Sequence, residues 1–164
     1  MSTGDASYAS ALEGRVSGVG RRFAIVVSRF NAHVTEPLLE NAIACLVEHG
    51  TARESIEVFQ VPGAWEIPQA VGWVTHRPRH AAVLALGCLI RGETAHFDVI
   101  AAEVARGLAE AARSSGMPVI FGVLTTENEA QAMERADPAR GNKGREAALA
   151  ALEMAEIYVK QAPR

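Results

Sequence analysis

Two cysteines, two tryptophans and two tyrosines are all this chain has of those residues, and aromatic residues make up only 5% of it. Cys45 and Cys88 have no CxxC or metal-like spacing, so both read as free thiols rather than a disulfide or a zinc site. Neither sign of charge is in excess. A formal net charge of -3 gives no reason to expect a nucleic-acid or acidic-membrane partner. No apolar run is long enough to span a bilayer. Met1 to Gly14 is polar and small, without the basic start and apolar stretch of a secretion signal. These absences fit a cytoplasmic protein. Also missing are a dinucleotide-binding glycine fingerprint and a Walker A sequence.

What is present suggests one layered domain. Residues 1–20 are rich in Ser, Gly and Ala and read as an arm; 21–164 read as a single domain with one core. Phe23–Ser28, Ile56–Val61, His80–Gly87 and Pro118–Leu124 are apolar runs that predict four strands. Helical spacing follows each one. The first helix is expected to be capped by Thr35, with Pro37 in its first turn and Gly50 at its stop. Ile67, Ala70, Val71 and Val74 mark a second helix, and 95–114 a third. A short helix over 127–135 and a last one over 143–160 complete the pattern. Strands alternating with helices predict an α/β fold, a four-stranded parallel sheet covered by helices on both faces. The continuous apolar character of the strands predicts burial on both faces.

In such a fold the βα junctions open on one edge, where ligands bind. Gly87–Asp98 is the junction richest in chemistry: a glycine, a hydroxyl, acids and a histidine between a strand and a long helix. Glu93 and Thr94 are expected to open that helix, with unpaired N–H groups suited to an anion. His96 follows directly, a residue type that moves protons near neutral pH. The other junctions are less specific. Phe30 is a ring placed to stack on a planar heterocycle, though taken alone it reads slightly better as a plug of the core. Gly63 lets the backbone approach a ligand, and Glu66 reads equally as a hydroxyl acceptor or as an ordinary first-turn acid. Arg135, Arg140 and Lys143 are cations near a break in the helix pattern, and side-chain chemistry does not choose between the two arginines. His33, His49, His76 and His80 are assigned no role; His49 suits the last turn of a helix. The residues by themselves thus indicate an α/β domain binding a phosphorylated, polyhydroxylated or planar ligand.

Five motifs in order carry a resemblance beyond this. They are Val27-Ser28-Arg29-Phe30-Asn31, Val61-Pro62-Gly63-Ala64-Trp65-Glu66-Ile67-Pro68, the whole of Gly87–Asp98, Pro118–Asn128 and Gly141-Asn142-Lys143-Gly144. From Arg22 to about Tyr158 the chain resembles the 6,7-dimethyl-8-ribityllumazine synthase family of riboflavin biosynthesis. The resemblance implies a flavodoxin-like fold whose N-terminal strand joins a neighbouring subunit's sheet. It implies a transferase that condenses 5-amino-6-(D-ribitylamino)uracil with 3,4-dihydroxy-2-butanone 4-phosphate to 6,7-dimethyl-8-ribityllumazine, phosphate and water, with no cofactor and no metal.

The roles implied are these. Phe30 and Asn31 would meet the ribitylaminouracil together with Ala64, Trp65, Glu66, Cys88, Leu89 and Ile90, the last three through backbone groups. Phe121 and Lys143 would complete that pocket from a neighbouring subunit. Glu93, Thr94 and the neighbour's Arg135 would hold the butanone phosphate, and His96 would be the acid/base. The implied assembly is a homo-oligomer, a pentamer with a sixty-subunit shell as its larger form. Two departures stand out: Asp137-Pro138-Ala139-Arg140 replaces a familiar Gly-Thr-Lys or Gly-Gly-Lys loop, and Trp65 stands where Phe is common. The competing readings are an archaeal-type riboflavin synthase, a non-catalytic shell or binding protein, and a flavin-carrying flavodoxin. The Gly92-Glu93-Thr94 junction with His96 favours the synthase, because riboflavin synthase takes no phosphorylated substrate.

Overall fold

The computed structural model describes residues 12–161. Its elements are β1 (Phe23–Ser28), α1 (Ala32–Glu48), β2 (Ile56–Val61), α2 (Ile67–Thr75), β3 (Ala82–Ile90), α3 (His96–Ser115), β4 (Val119–Thr126), α4 (Glu129–Ala136) and α5 (Lys143–Gln161). Single 3-10 turns lie at Arg53–Ser55 and Ala64–Glu66. The strands are parallel, in the order β2-β1-β3-β4. This is the expected α/β architecture.

Crossover handedness explains the layers. Parallel crossovers are right-handed. The step from β1 to β2 runs one way along the sheet, and the steps to β3 and β4 run the other way. So α1 covers one face while α2 and α3 cover the opposite one; α4 and α5 join α1. The side chains of β1 alternate accordingly. Phe23, Ile25 and Val27 pack with Leu38, Leu46 and Leu152, whereas Ala24 and Val26 pack with Ile67, Val71 and Leu108. Gly144 permits a close helix contact on the first face. A Cβ there would stand 2.2 Å from the Leu38 carbonyl oxygen, so the backbones of α5 and α1 nearly touch.

Several expectations shift. Burial on both faces holds for the central strands β1 and β3, but β2 exposes Glu57, Val58 and Gln60, and β4 exposes Phe121 and Thr125. An apolar run marks a strand, not its place in the sheet, and the topology puts β2 and β4 at the edges. Helix α1 starts a turn before Thr35. Asn31, left-handed at φ 60, offers its carbonyl to Val34 and Thr35 N–H at 2.9 and 3.0 Å, and Pro37 lies inside the helix. The hydrogen bond that Pro37 lacks is offset by the fully buried stripe of Leu38, Ala42, Cys45 and Leu46.

Strand β3 covers 82–90 instead of 80–87 because its ladder with β4 continues to the Ile90–Thr126 pair. His80 precedes it and donates through Nε2–H to Glu57 Oε2 at 2.9 Å. Helix α4 begins later than expected, behind Asn128, whose Oδ1 accepts from Gln131 N–H at 2.9 Å. Of the arm, residues 1–11 lie outside the described residues. Residues 12–20 run beside α1 and α5: Gly18 N–H donates to the His49 carbonyl at 2.9 Å, and Lys160 Nζ donates to the Glu13 carbonyl at 2.8 Å. No helix among the described residues is long and apolar enough to cross a membrane.

Candidate active site

The strand order reverses between β1 and β3, the position at which open parallel sheets bind ligands. Geometry makes room there. The pairing of β1 with β3 ends at Leu86, while β3 runs on to Ile90. The β1-facing backbone of the last residues of β3 is therefore left without a neighbouring strand. Asn31 uses part of it, donating from Nδ2 to the Cys88 carbonyl at 3.1 Å. Below, a side chain at Gly87 would meet Ile67 Cδ1 at 2.8 Å, so the glycine lets α2 pack close against β3 beneath the cleft.

A cavity of about 370 Å³ opens at this edge of the sheet. Phe30 and Asn31 enter it from the β1–α1 junction, Gly63, Ala64 and Trp65 from β2–α2, and Leu89 and Ile90 from the end of β3. The β3–α3 junction adds Gly92, Thr94, His96, Phe97 and Ile100. Phe30 is 69% exposed and Trp65 is 56% exposed, so Phe30 is not a core plug; both rings are presented to the cavity edge.

Three expected residues lie beside the cavity rather than in its wall. Glu66 folds back so that its Oε2 accepts the Gly63 N–H at 2.9 Å, and Gly63 itself is ordinary extended backbone. The Cys88 thiol points into the core, where burial pushes its pKa up to about 11. Its backbone, not its sulfur, is what faces the cleft. Glu93 is exposed.

Glu93 and Thr94 also do not open the helix. They form a bend before α3, which starts at His96 with Ala95 as its cap. The continued β3–β4 ladder, extended by Arg91 N–H to the Thr126 carbonyl at 2.9 Å, delays the turn. Thr94 Oγ1 then accepts the His96 N–H at 3.4 Å, the local bonding that favours a hydroxyl residue outside a helix.

Phe121, Arg135 and Lys143 are elsewhere. They line a second concavity of about 300 Å³ beside the exposed edge strand β4. There Arg135 Nη1 donates to the Gln131 carbonyl at 3.0 Å, and Lys143 Nζ pairs with Glu146 at 2.7 Å. Arg140, the other candidate cation, is outside this concavity and pairs with Glu134 at 2.8 Å. One chain thus carries two separate groups of the expected site residues.

Sequence reasoning missed Phe97 and the residue that holds it. The Arg91 guanidinium lies 4.4 Å from the Phe97 ring centroid and pairs with Asp98 at 3.0 Å and Glu127 at 2.8 Å. The only signal was an Arg next to Gly92 with an acid seven residues on. Among the described residues, no three His, Cys, Asp or Glu side chains cluster closely enough to share a metal ion.

Comparison with known proteins agrees with this architecture. Residues 20–158 match the family model described as 6,7-dimethyl-8-ribityllumazine synthase. A protein of that name from Chlorobium phaeobacteroides (strain BS1) is 48% identical over 147 residues, 90% of this chain and 95% of that protein. One from Gemmatimonas aurantiaca is 49% identical over 150 residues, 92% of each chain. One from Chlorobium limicola is 49% identical over 147 residues, 90% of this chain and 95% of its own. With the match covering nearly every described element, the chain belongs to the 6,7-dimethyl-8-ribityllumazine synthase family.

Proposed function

We propose that the protein condenses 5-amino-6-(D-ribitylamino)uracil with 3,4-dihydroxy-2-butanone 4-phosphate, releasing 6,7-dimethyl-8-ribityllumazine, phosphate and water. The observation that carries this is the cavity at the sheet's switch point, where two exposed aromatic rings, bare strand backbone and an imidazole converge. Phe30 and Trp65 suit a flat pyrimidine. The backbone of Cys88, Leu89 and Ile90, with Asn31 and Ala64, suits its polar edge. The Glu66 carboxylate, already oriented by Gly63 N–H, accepts ribityl hydroxyls. Thr94 and the first turn of α3 suit the phosphate. Glu93 stands beside them.

The chemistry joins the aromatic amine to the ketone with loss of water to an imine, expels phosphate, and closes the second ring by attack of the ribityl-bearing nitrogen on the remaining carbonyl with loss of a second water. Each step moves a proton, and His96 lines the cavity where these steps occur. Fixing both substrates in register contributes more than the proton shuttle does, because most of the difficulty is bringing two polar molecules together.

The second concavity completes the site in trans. Phe121 is 52% exposed and sits with Arg135 and Lys143 on a separate surface, which supports the role the family resemblance gives them in the cavity of an adjacent subunit. The assembly that the family resemblance implies for such a shared site is a homopentamer, which can associate further into a sixty-subunit shell. The resemblance also implies an N-terminal strand joined to a neighbour's sheet, which would cover an exposed edge.

The test is formation of the lumazine from the two substrates, followed by its absorbance. Product that accumulates equally in excess chelator supports the reading. No product at any substrate concentration sinks it. Light scattering that returns a monomer at working concentration removes the shared site.

A further inference from the structure

Arg91 lies outside the cavity wall yet stands at a crossing of contacts. Its Nη1 donates to both oxygens of Asp98, at 3.0 and 3.1 Å, in the first turn of α3. Its guanidinium carbon lies over the ring of Phe97, which lines the first cavity next to His96. On the other side Nε donates to Glu127 Oε2 at 2.8 Å.

From Glu127 the connections continue into α4. Glu127 N–H donates to Gln131 Oε1 at 2.9 Å, and the Gln131 carbonyl accepts from Arg135 Nη1 at 3.0 Å. A continuous series of polar contacts therefore joins the α3 turn, on the first cavity, to Arg135, on the second. A lone surface ion pair has little hold on structure. Here a planar guanidinium is engaged by two carboxylates and one ring, the kind of forked, stacked arrangement that fixes side-chain directions.

We propose that Arg91 is a positioning residue for two active sites at once: it sets the α3 turn that carries His96 for its own subunit's cavity, and through Glu127 and Gln131 it sets Arg135 for the neighbour's. This rests on the shared-site reading above. It goes beyond it by assigning work to a residue that touches neither substrate. A lysine cannot replace it, since an ammonium offers neither the fork nor the flat face.

Mixed oligomers separate the two arms. The control is His96→Ala mixed with Arg135→Ala after verified subunit exchange. Activity returns where an intact His96 edge meets an intact Arg135. Arg91→Met is expected to lower turnover roughly tenfold to a hundredfold, because misplacing reacting groups by about an ångström costs that much. It is also expected to rescue neither the His96→Ala nor the Arg135→Ala subunit. Recovery with Arg135→Ala would mean that Arg91 serves only its own cavity, and recovery with His96→Ala that it serves only Arg135. Either result overturns the two-site role, as does normal turnover in Arg91→Met.

If Arg91→Met fails to assemble, two milder variants carry the test. Glu127→Gln should be rescued by His96→Ala subunits and not by Arg135→Ala subunits; Asp98→Asn should show the reverse. The same pattern from both, or normal turnover in either, overturns the proposal. A control mixture that shows no recovery instead refutes the shared site itself, and the two-site role falls with it.

Discussion

Replacing Gly144 by alanine sets two known effects against each other. In a helix alanine is favoured over glycine by up to about 1 kcal/mol, less in the first turn where Gly144 sits. If α5 stood clear of its neighbours, Gly144→Ala would stabilise the protein. It does not stand clear. The new Cβ would lie 2.2 Å from the Leu38 carbonyl oxygen, 2.9 Å from its carbon and 3.0 Å from its Cα. These are backbone atoms of α1, which cannot swing aside. Restoring van der Waals distance requires the helices to part by roughly 1 Å or more.

That displacement loosens a seam built from Leu38, Ala42 and Leu46 against Ala148, Ala151 and Leu152, all fully buried. Overpacking of this kind costs about 1–3 kcal/mol, and a clash against fixed backbone belongs at the top of the range. The net expectation is a loss of about 2 kcal/mol, or a fall in Tm of roughly 4–8 °C for a chain of this size. Lys143 is the adjacent residue, so the KM for substrate should rise with the same displacement. The assay is thermal unfolding at matched protomer concentration, because assembly makes Tm depend on concentration. Gly72→Ala is the control. Gly72 lies within α2, and a Cβ there meets nothing within 4 Å, so it should gain the propensity term alone. Equal stabilisation of both variants would refute the close contact of α1 and α5.

Other expectations follow from single sites. His96→Ala should slow turnover by about tenfold or somewhat more while leaving the affinity for inorganic phosphate nearly unchanged, below the hundredfold often seen for acid–base groups because positioning dominates; steady-state kinetics and a phosphate titration check this, and normal turnover with a large rise in butanone-phosphate KM would show the role misassigned. Arg135→Ala removes a charge-assisted phosphate partner worth about 1.5–3 kcal/mol, so butanone phosphate and inorganic phosphate should bind much more weakly, and equal weakening of ribitylaminouracil would argue for a structural role. Burial raises both thiols, Cys88 to about 11 and Cys45 in the same direction, so the native protein at pH 8 should react with thiol reagents far more slowly than the unfolded chain; fast labelling of either thiol in the native state would contradict their burial. Burial also lowers the pKa of His80 despite its bond to Glu57, and the charges of Arg22 and Arg79 push it the same way. The native state therefore resists a proton that the unfolded chain accepts below about pH 6.5, and stability should fall as pH drops through that value by at most about 1.4 kcal/mol per pH unit from this group. In His80→Gln that contribution to the slope should disappear; an unchanged slope in denaturant titrations would exclude His80 as its source.

The sequence determined the four strands, the five helices and the α/β layering, because apolar runs and 3.6-residue stripes are local patterns that only one kind of packing buries. It also marked the Gly87–Asp98 junction, since a polar cluster placed directly after a buried strand has few explanations other than a site. Tertiary structure alone decided three things. Strand order left β2 and β4 with exposed faces, a fact absent from their equally apolar residues. The extra length of β3 over its pairing with β1 created the cleft and moved the start of α3 past Glu93 and Thr94, because ladder hydrogen bonds with β4 outcompete the helix there. And Arg91, unremarkable in the chain, became the junction of two carboxylates and a ring only when α3 and β4 came side by side. Periodicity carries what each residue buries, while which distant groups meet depends on the order and length of the strands that bring them together.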